Sequence, residues 1–240
     1  MNYSEFSEKS FLHNAVRLCI VDDDRYILDS LADLFFSPLF SVHTADSTPS
    51  ALKKLTYGTW HCCLLDIAME HEESGLDVLR ACKQFPFVIM LSGLRSMQIA
   101  GAAMEQGAMK VFDKEPDNFD TLHSEVCRTA ALGFILGGKQ SQYLQHFMIL
   151  KESIVYTPEQ WADTACMTVR QLERICKTNT NLSPRFVLPF YYALSILLET
   201  GDTPSDIHSR LSSGKGGNAF FRESLDFCLR NCDKFPALPV

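Results

Sequence analysis

Arg17-Leu18-Cys19-Ile20-Val21-Asp22-Asp23-Asp24 decides the fold, because a stretch suited to a buried strand runs straight into three carboxylates. The arrangement recurs twice. His61-Cys62-Cys63-Leu64-Leu65 leads into Asp66, and Met109-Lys110-Val111-Phe112 leads past Asp113 to Lys114. Apolar runs of this length are what parallel strands covered on both faces require. In an open α/β sheet, groups at the carboxyl ends of neighbouring strands face one crevice. Carboxylates gathered there with a lysine make a site for a hard divalent cation and a phosphoryl group. Each signal alone has a plainer meaning: an Asp triplet is ordinarily a solvated turn or a helix cap, and a lysine after a strand is ordinarily surface. Their succession in one order is what points to a site.

Working outward, residues 16–136 alternate in type. Strands are predicted at 16–21, about 40–44, 61–66, 86–92 and 109–113, and helices at about 25–37, 48–57, 75–84, 95–106 and 118–133. Leu28, Leu31, Ala32, Leu34 and Phe35 give the first helix one apolar face. Asp24 is placed to cap it rather than to bind a metal. Thr48 and Pro49 read as N-cap and first position of the second helix. Regular βαβ alternation implies a parallel sheet with helices on both faces, the flavodoxin-like (βα)5 architecture.

The composition agrees with this class. The chain has 240 residues, 46% hydrophobic and 21% charged, which fits a soluble globular protein of one large or two modest domains. No apolar run reaches the roughly 18 residues of a membrane span, and residues 1–14 lack the order of a signal peptide. The expectation is a cytoplasmic protein without membrane contact. Its nine cysteines include no C-x-x-C pair, so they read as reduced core thiols. The net charge of −7 is uneven: residues 1–140 hold 12 Lys and Arg against 19 Asp and Glu, whereas residues 141–240 hold 10 of each. With the turn chemistry of Gly137-Gly138, this places a boundary near residue 137.

The front segment resembles the receiver domain of bacterial two-component response regulators. Four motifs carry the likeness: Cys19 to Asp24, Leu64-Leu65-Asp66-Ile67 with Gly75 beyond, Val88 to Ser92, and Gly107 to Lys114. The resemblance implies that Asp66 accepts a phosphoryl group from a histidine kinase or phosphotransfer protein. It also implies that Asp22, Asp23, Asp66 and the Ala68 carbonyl hold Mg²⁺, that Lys114 pairs with the acyl phosphate, and that Ser92 moves to bond it. Such a protein is a phosphoacceptor rather than a conventional enzyme. The chain departs from the family pattern in places. The loop from Ile67 to Gly75 is one residue longer than usual, lacks the usual proline and carries Glu70, Glu72 and Glu73. Val111 stands where a switching aromatic is common, Gly93 where Ala is usual, and Glu115 where Pro is common.

The back half reads as helices. Thr157-Pro158-Glu159-Gln160 opens one, and Thr168 caps another whose apolar stripe is Val169, Leu172, Ile175 and Cys176. Residues 190–198 are strongly apolar. Helix, tight turn and second helix outline a helix-turn-helix. Trp161 to Lys177, followed by Asn181 to Pro184, resembles the first helix-turn-helix of AraC-type regulators, and residues from Asp206 to Phe221 resemble the second more loosely. The resemblance implies an all-α output domain over 157–240, after a receiver at 1–136 and a connector at 137–156. Leu144, Phe147, Met148, Leu150, Ile154 and Val155 give that connector an amphipathic stripe, either core or a homodimer seam. Candidate DNA contacts are Thr168, Arg170, Gln171, Arg174, Lys177 and Arg185 in the first unit, and Lys215, Asn218 and Arg222 in the second. The expected function is a transcriptional regulator that binds promoter DNA, with Mg²⁺ as its cofactor. The other reading keeps the receiver but makes the back half a protein-interaction module, since DNA-binding modules are usually basic and this one is neutral.

Overall fold

The computed structural model describes residues 16–71, 73–82, 85, 87–93, 97–202 and 224. Five parallel strands stand in the order β2-β1-β3-β4-β5: β1 (Val16–Val21), β2 (Phe40–Ala45), β3 (Cys62–Asp66), β4 (Val88–Ser92) and β5 (Lys110–Asp113). Helices α1 (Arg25–Leu34), α2 (Thr48–Tyr57), α3 (Ser74–Ala81), α4 (Met97–Glu105) and α5 (Phe119–Ile135) link and follow them. This is the flavodoxin-like sheet expected. All five strands fall where the sequence places them, while α1 stops at Leu34, short of the predicted 37.

Strand residues divide by parity between two apolar layers. Leu18, Ile20, Cys62, Leu64, Ile89 and Leu91 face α1 and α5, and Cys19, Val21, Cys63, Leu65 and Met90 join α2, α3 and α4. Both faces are covered, so the central strands need no polar positions until their ends.

Three predicted caps hold, those of Asp24, Thr157 and Thr168. The Asp24 carboxylate accepts from the Tyr26 N–H at 2.8 Å, and Thr157 accepts from the Gln160 N–H. The prediction that Thr48 caps α2 is corrected: Ser47 occupies the cap, and Thr48 is the first helical residue. The reason is that Glu70 already engages both the N–H and the hydroxyl of Thr48.

Beyond the sheet lie α6 (Leu144–Glu152), α7 (Pro158–Thr164), α8 (Val169–Thr180) and α9 (Pro184–Thr200). The strongly apolar stretch at 190–198 belongs to this longer last helix, which runs through Pro189. α5 is buried from Thr129 to Ile135 without a break, which only a helix covered on all sides can tolerate. The sheet covers one side, and α6 and α9 pack against α5 on others. The apolar layer on that side therefore continues from Leu18 and Ile20 through Phe134 to Phe147, Trp161, Leu172 and Tyr191. Of the connector stripe, Phe147, Met148, Leu150 and Val155 are core, whereas Ile154 is exposed. Among the described residues no helix is long and apolar enough to cross a membrane.

Candidate functional site

The strand ends bring the predicted groups together. Lys114, just past β5, reaches across β4 with its Nζ 2.6 Å from Asp22 Oδ2 and 2.8 Å from Asp66 Oδ2. Carboxylate oxygens of Asp22, Asp23 and Asp66 lie within 4.8 Å of one another. Asp22 is completely buried and Asp66 nearly so, while Asp23 is exposed at the rim. The β1–β3 and β3–β4 registers account for this: Val21 lies opposite Leu65 and Asp66 opposite Leu91, so the acidic groups emerge at one level of the sheet.

Main-chain donors orient the carboxylates. The Asp24 N–H donates to Asp22 Oδ1 at 3.0 Å, and the Ala68 N–H donates to Asp66 Oδ1 at 3.3 Å. Ser92 is buried at the end of β4, and its carbonyl accepts from the Lys114 N–H at 2.8 Å. Asp22, Asp23, Asp66, Ala68, Ser92 and Lys114 thus lie at one edge of the sheet.

Burial governs the charges here. It pushes the Asp66 carboxyl up to about 6, against the lowering effect of the Lys114 hydrogen bond, and the neighbouring Asp22 pushes the same way. Burial likewise raises Asp22 above the usual carboxylate range. For Lys114 burial works downward, but hydrogen bonds to Asp22 and Asp66 outweigh it and hold the ammonium above its ordinary value. One lysine facing two buried carboxylates leaves a net negative pocket with an all-oxygen donor set, which favours a hard cation.

Residues 18–126 match the family model described as the response regulator receiver domain. This segment is a receiver domain. TdiR, a transcriptional regulatory protein of Thauera aromatica, is 30% identical over 140 residues, which are 57% of this chain and 61% of that protein. TodT, a response regulator protein of Pseudomonas putida F1, is 35% identical over 99 residues, 40% of this chain and 43% of that one. The match therefore spans less than two thirds of either relative. Among solved structures, the response regulator TrrA of Thermotoga maritima, in complex with Mg²⁺ and BeF, is 25% identical. It covers 47% of this chain and 97% of its own, with a TM-score of 0.41.

Outside the receiver domain, three of the candidate DNA contacts lie on one face of α8. Arg170, Arg174 and Lys177 are exposed along α8 at helical spacing, opposite buried Leu172, Ile175 and Cys176. Thr168 and Arg185 are exposed as well. Gln171 is exposed but engaged: its Oε1 accepts from the Thr168 N–H at 2.8 Å and from the Thr168 hydroxyl at 2.9 Å. This reciprocal cap of α8 occupies the amide oxygen that would read a base. Lys215, Asn218 and Arg222 lie outside the described residues.

Two interactions had no mark in the sequence. One is the Glu70–Thr48 contact beside the site. The other joins Glu125 of α5 to Lys110 of β5, at 3.4 Å, and to Lys151 of α6. Glu125 shares its stretch of α5 with Asp120, His123, Ser124 and Arg128, so nothing in the sequence sets it apart from a solvated residue.

Proposed function

We propose that this chain is the response regulator of a two-component phosphorelay, with Asp66 as phosphoacceptor and a DNA-binding output. The observation that carries the reading is Lys114 bridging Asp22 and Asp66 at 2.6 and 2.8 Å inside a pocket of three carboxylates. In the proposed reaction, a phosphohistidine on a histidine kinase or phosphotransfer protein is the donor. An Asp66 oxygen attacks phosphorus, the P–N bond breaks, and the imidazole departs as the acyl phosphate forms. The carboxylates of Asp22, Asp23 and Asp66 with the Ala68 carbonyl suit Mg²⁺, which when bound offsets the charge repulsion between Asp66 and the incoming phosphoryl oxygens. Lys114 is placed to follow the phosphoryl group as its bonds to Asp66 are exchanged, and the Ser92 hydroxyl to donate to a phosphoryl oxygen. These contacts would bias the surface of α4 and β5, the two-state element of the switch.

The test is incubation with a small phosphodonor and Mg²⁺. The unmodified chain should form an acid-stable, base-labile acyl phosphate, and Asp66→Asn should not. Labelling that survives in Asp66→Asn would overturn the site.

For the output, the exposed stripe of Arg170, Arg174 and Lys177 supports an AraC-type helix-turn-helix that binds promoter DNA, and the transcriptional role in TdiR's name accords with it. The proposal includes the division into receiver (1–136), connector (137–156) and output (157–240), and association as a homodimer on DNA. Replacing both Arg170 and Arg174 by Ala should weaken DNA binding and shrink its salt slope by about two counterions. The engaged Gln171 and the neutral charge of the back half favour a second reading, a protein-interaction module. No affinity for any DNA at low salt would decide for it.

A further inference from the structure

The loop after Asp66 is the part of the receiver domain that departs most from its family pattern, and the structure explains how it stays in place. Within the loop, the Gly75 N–H donates to the Ile67 carbonyl at 2.9 Å. The buried Ser74 hydroxyl accepts from the Met69 N–H and donates to the His71 carbonyl, both at 2.9 Å. These bonds close the loop on itself, but they do not fix it relative to β1, where Asp22 stands.

Glu70 makes that connection. Its Oε1 accepts from the Thr48 N–H at 2.7 Å, and its Oε2 accepts from the Thr48 hydroxyl at 2.6 Å. The cap residue of α2, Ser47, makes no side-chain bond to the helix, so Glu70 meets an N-terminal donor that the local sequence leaves open. Thr48 is itself anchored to the site from the other side. It lies three residues past Ala45, whose carbonyl accepts from the Asp22 N–H at 3.1 Å. The path from Asp22 through Ala45, Thr48 and Glu70 to Ala68 closes around one flank of the pocket.

We propose that Glu70 is a positioning residue of the metal centre, holding the Ala68 peptide at a fixed distance from Asp22. The inference rests on the metal-binding reading given above. A carboxylate held by two donors of one residue loses both its rotation and its translation, so it transmits a fixed geometry. Without it, the loop must be ordered when the ion arrives, and that cost appears as weaker affinity.

The test is titration of the full chain with Mg²⁺ alone, followed calorimetrically. Glu70→Ala should bind Mg²⁺ about fivefold more weakly, the scale of the net contribution of one ordinary hydrogen bond. Glu70→Gln should stay within about twofold of the unmodified chain, since its carbonyl can take the Thr48 N–H and its amide can donate to the Thr48 hydroxyl. Thr48→Val, which keeps the backbone donor and loses the hydroxyl, should fall between them. Affinity unchanged in Glu70→Ala overturns the inference. Equal loss in Glu70→Ala and Glu70→Gln overturns it too, because charge near the ion would then be the cause. If the unmodified chain fails to bind Mg²⁺ at all, the metal-centre reading itself falls and takes this inference with it.

Discussion

At the residue scale, Asp66 is held in a conflict between burial, which disfavours its charge, and Lys114, which favours it. Burial is the main reason its carboxyl titrates at about 6 rather than the ordinary 3.8. In the unfolded chain the group ionises near its ordinary value, so between these limits the folded state holds more protons. Metal-free stability should therefore fall as pH rises from about 4 through about 6. Asp66→Asn removes the cost of the ionised form and should stabilise the metal-free chain at pH 8 by up to about 3 kcal/mol, with little gain at pH 4. Urea denaturation in chelator at the two pH values checks this, and a variant less stable than its parent at pH 8 would contradict it. Gly75 shows the complementary constraint. A Cβ there would lie 1.9 Å from the Asp66 carbonyl oxygen. Gly75→Ala must push the loop off β3, at a cost of about 2 kcal/mol in the same denaturation assay. The positions of Asp22, Asp66 and Lys114 were legible because each ends a strand that the apolar run already announces. Glu70 was not, because a carboxylate in an acidic loop carries no sequence sign of whether water or Thr48 receives it.

At the scale of elements, the helix starts show which sequence signals are self-sufficient. Thr157 and Thr168 act on donors three residues ahead, so local spacing determines the outcome, and both cap as predicted. At α2 the partner comes from another loop, and the prediction of Thr48 as cap fails for that reason. The reciprocal Thr168–Gln171 pair gives α8 a rigid start just after a turn in which Cys166 adopts φ +53°. Thr168→Ala should cost about 1 kcal/mol, measured as a lower midpoint of thermal unfolding. Replacing Gln171 by Glu, the other residue suited to that position, should preserve the cap and its stability. A loss equal to that of Thr168→Ala would show the side-chain bond from position 171 to be essential as an amide. The alternation of strand and helix was legible throughout the receiver domain because short continuous apolar runs bounded by polar or turn residues mark strands buried on both faces, whereas the helices are longer and apolar on one face only. The bounds of α9 were less so, since Pro189 reads locally as an interruption. Burial of the helix against α5 carries it past the missing donor.

At the scale of the whole molecule, the sequence suggested a seam near residue 137 on charge and turn residues, and apolar packing crosses it. α5 is shared between the sheet and the later helices, and Glu125 stands at that junction. Burial alone would raise its carboxyl, but Lys151 and Lys110 hold it below the usual range, so the acid stays ionised. Neither lysine could be paired with it from sequence, since Lys151 follows by 26 residues and lies on a different helix. The sign of the linkage is opposite to that at Asp66: the pair contributes stability above the ordinary Glu value, and that stability is lost as pH falls below it. Lys151 has a side chain only 7% exposed, so Glu125→Ala leaves a buried ammonium facing Lys110 across an empty space. Removing one partner of such a pair costs about 3 kcal/mol, whereas replacing both by apolar groups of similar volume is close to neutral. Glu125→Ala should therefore unfold at markedly lower urea, and the double variant Glu125→Leu with Lys151→Met should recover most of the loss. Because one apolar layer spans the sheet side of α5 and helices α6 to α9, and Trp60 belongs to the layer on the other face of that same sheet, fluorescence of Trp60 and of Trp161 should report the same transition in every variant. Separate transitions at the two tryptophans would mean that Glu125 and Lys151 join parts that fold independently, and that the shared layer does not make them one cooperative unit.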